Sequence, residues 1–240
     1  MVVGGGFAGV TAARDLGDTG RSVLLLEARD RLGGRTWRRR FADTDHLLEF
    51  GGQWIAPRWQ PHVAREVARY GLPLAEGPEP RSFASLAGGV RRSGAIPVPP
   101  DEIFALERVM YELIHSSYRL DSRDPLDNPP ADLDSPFTEW LAPLRLPRAT
   151  HDTIEAWVTG AFGCSLQVVS TLSVLSWIAA YDHSVLAVHL GEGQMFAHGT
   201  SSAIEAIIGD SGAEVRLGSP VARIEQDDRQ VRAITAAGEL

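Results

Sequence analysis

The chain contains no lysine; all 23 of its basic residues are arginine, so no step that needs a lysine amine can be supplied by these 240 residues. Its single cysteine, Cys164, excludes an intramolecular disulfide and a cysteine-rich metal site, and reads as a small buried hydrophobe. The seven histidines are scattered, with no pair at metal-ligand spacing beside carboxylates, so no metal is expected. Long apolar runs are missing as well. The longest stretch, Leu166 to Tyr181, is broken by Gln167, Ser170, Thr171, Ser173 and Ser176, and reads as a buried helix with no membrane span. No basic-then-apolar leader opens the chain, which sets a cytoplasmic location as the expectation. A net charge of −8 argues against nucleic acid as a partner. What remains is a globular chain, 44% hydrophobic and 22% charged, long enough for one large or two small domains.

Glycine is plentiful where it matters. The chain opens MVVGGGFAGV, so that Gly4, Gly6 and Gly9 spell G-x-G-x-x-G directly after an apolar strand, Met1 to Val3. Phe7, Val10, Ala13 and Leu16 follow at helical spacing, with Thr11, Arg14 and Asp15 between them. Gly17 and Gly20 bracket a turn, and the strand Ser22 to Leu26 ends in Glu27. Strand, tight turn, helix, strand and acid make up the first half of a dinucleotide-binding βαβ unit. Gly4 permits the sharp exit, Gly6 admits a pyrophosphate to the backbone, and Gly9 lets the helix pack closely. The helix N-terminus favours the phosphate charge. Glu27 is placed to accept hydrogen bonds from ribose hydroxyls and to repel a 2′-phosphate.

Downstream runs Ala28-Arg29-Asp30-Arg31-Leu32-Gly33-Gly34-Arg35-Thr36, a glycine pair that presses backbone and a cation against a ligand. LEARDRLGGRTW resembles the flavin-containing amine oxidase family: the monoamine, polyamine and L-amino-acid oxidases, with carotenoid desaturases and protoporphyrinogen oxidases as distant kin. The likeness continues at Gly51-Gly52-Gln53-Trp54, where the family has a G-G-x-aromatic segment beside the flavin. It returns near Gly199-Thr200, which matches a family glycine-threonine that opens a helix, and Val221 matches a valine that meets the adenine. His198 stands in place of that family's first glycine. The resemblance implies FAD, held without a covalent bond by Gly4, Gly6, Gly9, Glu27, Arg29, Gly34, Arg35, Thr36, Gly51, Gly52, Gln53, Trp54 and Val221.

Between these motifs the pattern predicts a helix over Pro61 to Tyr70 ending at Gly71, with Val63, Val67 and Tyr70 on one side. A Pro-rich stretch (Pro73, Pro78, Pro80) precedes a hairpin turning at Gly88-Gly89. Asp101 is read as the cap of a helix to about Leu120, and Ser135-Pro136 as cap and first residue of a short helix through Leu141. Helical patterns cover 148–160 and 166–180, and Trp157, Phe162 and Trp177 are read as core ahead of cavity lining. A helix through Ile208 and strands at Glu214–Leu217, Val221–Gln226 and Val231–Ala236 close the chain. The expected fold is α/β: a Rossmann-like FAD domain of the glutathione-reductase type, interrupted by a mostly helical substrate-domain insert, and truncated. The expected division is 1–74 and 193–240 for the FAD domain and 75–192 for the insert.

The resemblance implies oxidation of an amine C–N bond with O₂ to give an imine and hydrogen peroxide. It covers about the first half of the family's length. The other half supplies a lysine near the flavin, aromatic residues facing it, a linking cysteine and a second FAD segment. No catalytic residue is therefore assigned here, and the chain alone is expected to be inactive. A complementary C-terminal half or second chain is the partner this admits. Two rivals stand beside the amine oxidase: a desaturase-like or protoporphyrinogen-oxidase-like FAD enzyme, and a non-catalytic FAD-binding half of a split protein.

Overall fold

The glycine-rich opening folds as its pattern requires in the computed structural model, which describes residues 1–77, 81–190, 193–235 and 238–239. The chain runs β1 (Val2–Val3), α1 (Phe7–Asp18), β2 (Leu24–Leu26), β3 (Arg38–Arg40), β4 (Leu47–Glu49), β5 (Trp54–Ile55), α2 (Pro61–Tyr70) and β6 (Leu74–Glu76). It continues through β7 (Ala84–Ala87), β8 (Val90–Ser93), α3 (Ile103–Ser117), α4 (Phe137–Leu141), α5 (Arg148–Phe162), α6 (Thr171–Ala180) and α7 (Val185–Leu190). It ends with β9 (Gln194–Phe196), α8 (Thr200–Gly209), β10 (Glu214–Arg216), β11 (Val221–Gln226), β12 (Val231–Thr235) and β13 (Gly238–Glu239). Internal contacts divide it into two units, Met1–Gly77 with Gly193–Leu240, and Pro78–Glu192.

In the first unit β2 is the middle strand of a parallel sheet. Val2 and Val3 lie opposite Leu25 and Leu26 on one side, and Glu214 to Arg216 lie opposite Leu24 to Leu26 on the other. Helices α1 and α8 close one core over this sheet, burying Val10 and Ala13 with Val23, Leu25, Ile204 and Ile207. Side chains of this size contribute roughly 1.5–3 kcal/mol each when fully buried. A second cluster joins Ile55, Phe196 and Ala203 to Val63 and Val67 of α2, where β9 pairs with both β5 and β6.

Arg14 departs from the amphipathic reading of α1. It is buried, at 2% exposure, on a helix where the apolar Phe7 lies open. Its guanidinium pairs with both oxygens of Glu66 on α2, bonds Asp15 at 2.8 and 2.9 Å, and reaches the Tyr70 hydroxyl at 3.2 Å. Arg69 then bridges Asp18 (3.1 Å) and Asp210 (2.7 Å), and the Tyr70 hydroxyl donates to Asp210 at 2.9 Å. The network ties α1, α2 and the end of α8 together. Burial pushes the Glu66 carboxyl up, but the hydrogen bonds and charge of Arg14 outweigh it and hold it below the usual carboxylate range.

Among its described residues the second unit has the β7–β8 hairpin as its strands, and the rest is helix and loop. Gly88 and Gly89 turn that hairpin at φ +62° and +75°, the left-handed conformation its two-residue loop demands. Helix α3 packs on α6, and each buries apolar side chains, Val109 and Leu113 on α3 and Val174, Leu175 and Ile178 on α6. Trp157 stacks on Trp177 and on the exposed His189, with Phe162 edge-on to Trp177, so the half-buried Trp157, Phe162 and Trp177 pack into one ring cluster.

Several boundaries differ from the sequence reading. The second strand starts at Leu24, not Ser22. Asp101 sits inside a 3-10 turn, and α3 begins at Ile103 and stops at Ser117. Pro136, not Ser135, precedes α4, because the Ser135 carbonyl accepts the Thr171 N–H instead. The 166–180 pattern is helical only from Thr171: Val168 and Val169 turn back onto the Ser165 carbonyl, and Ser170 caps the helix by accepting the Leu172 N–H. Of the three returning strands only β10 joins the parallel sheet; β11, β12 and β13 form their own antiparallel one. Cys164 is half-buried. Pro78, Pro80, Glu192, Ala236 and Leu240, which figure in the predicted breakers and boundaries, lie outside the described residues. No helix among the described residues is long and apolar enough to cross a membrane.

Candidate functional site: a glycine-lined cleft

The first unit carries a cleft of about 1370 Å³, larger than the roughly 300–1,000 Å³ of common small-molecule pockets and suited to an extended ligand. Its walls are the loops after β1 and β2, the segment entering β5, the start of α8 and the residues before β11. Every site residue predicted from sequence lines it except Gly9 and Gly51. Those two lie behind the wall. A Cβ on Gly9 would stand 1.8 Å from the Gly4 carbonyl oxygen, and one on Gly51 would stand 1.9 Å from the Arg35 carbonyl oxygen. Their role is close backbone packing. Gly6 and Gly52 have nothing within 4 Å of an added Cβ, so there the open backbone faces the cleft.

The first turn of α1 has no side-chain cap and no acidic residue, leaving its N–H groups free to meet an anion at the cleft wall. Arg35 is exposed at the same wall, and among the described residues nothing pairs with its guanidinium. Arg29 is more constrained, donating to the Gly34 carbonyl at 2.9 Å. Thr36 is buried with its hydroxyl on the Gly33 carbonyl at 2.9 Å, so it closes the turn that presents Arg35. Gln53 reaches Met195 on β9 at 2.8 Å, and Trp54 is the exposed ring of β5. Ser219, two residues before Val221, is held by its N–H to the Glu27 carbonyl at 2.8 Å.

The sequence reading missed three parts of this site. Gly5, only a variable position of the motif, donates its N–H to Glu27 Oε2 at 2.6 Å and accepts the Gly33 N–H at 2.8 Å. Thr200 donates its hydroxyl to the Gly52 carbonyl at 2.7 Å and its N–H to Glu49 Oε1 at 2.8 Å, so a carboxylate from β4 closes the N-terminus of α8. From α2, His62, Arg65 and Glu66 reach the wall, where the helical pattern had drawn notice only to the apolar side. Away from the cleft, α5 brings His151, Asp152 and Glu155 together, one turn apart and exposed to solvent or half so; the i, i+4 spacing of His151 and Glu155 was the available signal. Asp152 is engaged by the Gly88 N–H at 2.8 Å.

The family model described as Flavin containing amine oxidoreductase matches residues 7–240. The chain belongs to that family. It is 35% identical over 240 residues to (S)-6-hydroxynicotine oxidase of Paenarthrobacter nicotinovorans, covering 99% of this chain and 56% of that protein. It is 36% identical over 248 residues to nicotine dehydrogenase of Pseudomonas putida, covering 100% of this chain and 50% of the other. A putrescine oxidase solved with putrescine bound superposes with a TM-score of 0.83 at 24% identity, over 98% of this chain and 54% of that one, which shows the fold. The chain thus spans about half the length of the curated relatives it matches. FAD is the cofactor of the flavin-containing amine oxidoreductase family.

The cleft's residues fit the nucleotide part of that cofactor. Bare backbone at Gly6, the uncapped start of α1 and the Arg35 guanidinium, which has no partner among the described residues, line this one cleft, and a pyrophosphate takes donors of these kinds. Apolar Val3, Leu26, Ile55, Ala203 and Ile207 line the cleft as well.

Proposed function

We propose that this chain forms the nucleotide-holding half of an FAD-dependent amine oxidase. The observation that carries the reading is the convergence of Gly6, the α1 N-terminus and Arg35 on one cleft wall. In it, Gly4, Gly6, Arg29, Gly34 and Arg35 hold the diphosphate, Glu27 the ribose, and Val221 the adenine. Gly52, Gln53 and Trp54 stand toward the flavin ring, with Gly9, Thr36 and Gly51 packing the loops behind them. When bound, FAD would supply the two-electron chemistry, accepting a hydride equivalent from the substrate's α-carbon and, with one further proton, reducing O₂ to hydrogen peroxide. The chain's own residues orient, exclude water and supply anion donors; none of them is a candidate acid, base or nucleophile. The substrate class is an amine, oxidised with O₂ to an imine (an iminium where the nitrogen carries no hydrogen) and hydrogen peroxide, and the nicotine-type relatives recommend a cyclic tertiary amine as the first to test. Turnover on this reading needs a complementary half like the one its relatives carry. A cytoplasmic location belongs to the same proposal.

Titration of the 240-residue chain with FAD, ADP and riboflavin, followed by flavin fluorescence and calorimetry, tests the cleft. FAD and ADP are expected to compete for one site, with riboflavin binding at least a hundredfold more weakly. Riboflavin binding that ADP does not displace would sink the assignment. Arg35→Met is expected to weaken ADP by roughly ten- to a hundredfold, the loss of charge-assisted bonds worth about 1.5–3 kcal/mol. Its melting temperature should stay that of the wild type, because the side chain is exposed and unpaired. For the reaction, a chimera joining this chain to the second half of (S)-6-hydroxynicotine oxidase is assayed for peroxide and anaerobic flavin bleaching with 6-hydroxynicotine, nicotine and putrescine. Bleaching by a carotenoid or porphyrinogen and by none of the amines would favour the desaturase-like rival.

A further inference from the structure

Glu27 sits at the end of β2, where a ribose would reach it, yet its carboxylate already has two partners in the protein. Oε2 accepts the Gly5 N–H at 2.6 Å, and Oε1 accepts the Arg29 N–H at 2.9 Å. The residue is buried at 7% exposure, so neither bond is a loose surface contact. Gly5 in turn accepts the Gly33 N–H at 2.8 Å, and a Cβ at Gly5 would lie 2.3 Å from Leu32 Cδ2 and 3.2 Å from Glu27 Oε2. The backbone of Glu27 belongs to the same knot, its carbonyl accepting the Ser219 N–H. Three loops that line the cleft, 4–6, 28–36 and 218–221, therefore converge on one side chain and its own peptide.

We infer that Glu27 is a positioning residue for the phosphate-facing loops, acting through the backbone N–H groups of Gly5 and Arg29, in addition to any contact with ribose. Each carboxylate oxygen uses one of its two lone pairs on the backbone, so the second remains for a hydroxyl. The loop role does not depend on the ligand's sugar. It sets the direction of the Gly6 backbone and the placement of the turn that carries Arg35, and so bears on any diphosphate that enters. The inference rests on the reading of the cleft as a nucleotide site.

Two measurements on the full chain separate the roles. Amide hydrogen exchange of the ligand-free chain is compared for wild type, Glu27→Gln and Glu27→Ala. Gly5, Arg29 and Gly33 are expected to exchange at least tenfold faster in Glu27→Ala, with Val10 unchanged. Glu27→Gln, which has one acceptor in place of two, is expected to fall between. Unchanged exchange at Gly5 and Gly33 in Glu27→Ala would overturn the inference whatever the ligand does. The second measurement titrates ADP and 2′,3′-dideoxy-ADP into wild type and Glu27→Ala. Loop positioning predicts that the substitution weakens both ligands, each by at least fivefold. A pure ribose contact predicts a penalty confined to ADP, and that outcome overturns the inference. Wild type binding neither ligand would defeat the nucleotide reading instead, leaving the exchange data to decide Glu27.

Discussion

A methyl group added at Gly9 is expected to destabilise the first unit by at least about 3 kcal/mol, the upper end of what overpacking ordinarily costs. A side chain at Gly6 is expected to leave stability unchanged and abolish nucleotide binding. The two glycines belong to one motif, but their surroundings differ in kind. The Cβ of Gly9→Ala would meet the Gly4 carbonyl oxygen at 1.8 Å and its carbon at 3.0 Å, and backbone cannot swing aside as a side chain can. Relief requires α1 to move off β1, which opens the core around Val10 and Ala13. Gly6 has φ −79° and ψ −179°, a conformation open to any residue, with nothing within 4 Å of its missing Cβ. Gly6→Val therefore fills only the space where a phosphate would stand. Thermal melts and ADP titrations on both variants provide the check, with at least a hundredfold loss of affinity expected for Gly6→Val. Wild-type affinity in Gly6→Val would remove the phosphate from this wall. A wild-type melt in Gly9→Ala would mean that the close α1–β1 approach is not needed.

Arg14→Met is expected to cost about 3 kcal/mol, the low end for breaking a buried pair, because it leaves the largely buried Glu66 carboxylate with only the more exposed Arg65, 3.4 Å away, as counter-charge. The double variant Arg14→Met with Glu66→Met should recover most of that loss, since two apolar side chains leave no stranded charge. Acid gives a second readout. Folding lowers the Glu66 carboxyl, so as pH falls the unfolded chain takes up its proton first. The stability this pair contributes is complete above the ordinary glutamate range. It is lost as pH drops through that range and below the folded value. Denaturant melts from pH 7 to pH 3 should show this slope in wild type and a shallower one in the double variant. An Arg14→Met protein as stable as wild type at neutral pH would refute the network's role.

The elements legible in the sequence are those whose signal is local. G-x-G-x-x-G after an apolar pair, the helix before Gly71 with its left-handed cap, the hairpin at Gly88-Gly89 and the helix opened by Thr200 all stand where the pattern put them. Helix limits slipped where a carbonyl or hydroxyl found a distant partner, as the Ser135 carbonyl did in the Thr171 N–H and the Ser170 hydroxyl in the Asp134 carboxylate. Strands β3 to β6 and β9 escaped notice because two or three residues cannot display an alternation. The cleft wall was legible through its glycines and Arg35. Its supports were not: Gly5 is held by an acid on another strand, and the carboxylate closing α8 comes from β4. Arg14 was the plainest miss, since a charged residue on a helix reads as solvent-facing until its partner on another helix is known.

The pairing of β6 with β9 has a bearing on the order in which the chain folds. Glu76 lies opposite Gln194, and the Gly77 N–H donates to the Gly193 carbonyl, so the excursion of the second unit leaves and re-enters the first at one point. During synthesis β1, α1 and β2 emerge long before β10, and the outer edge of Leu24–Leu26 waits for a strand from residues 214–216. The entropy of closing so long a loop grows only with the logarithm of its length. Once β9 has paired with β5 and β6, the segment still to be closed is the chain from Leu26 to Trp54 together with that from Met195 to Glu214, with the excursion itself no longer counted. Length added or removed inside the excursion then leaves the parallel sheet's closure nearly untouched, so insertions and deletions there are expected to spare the nucleotide-binding fold.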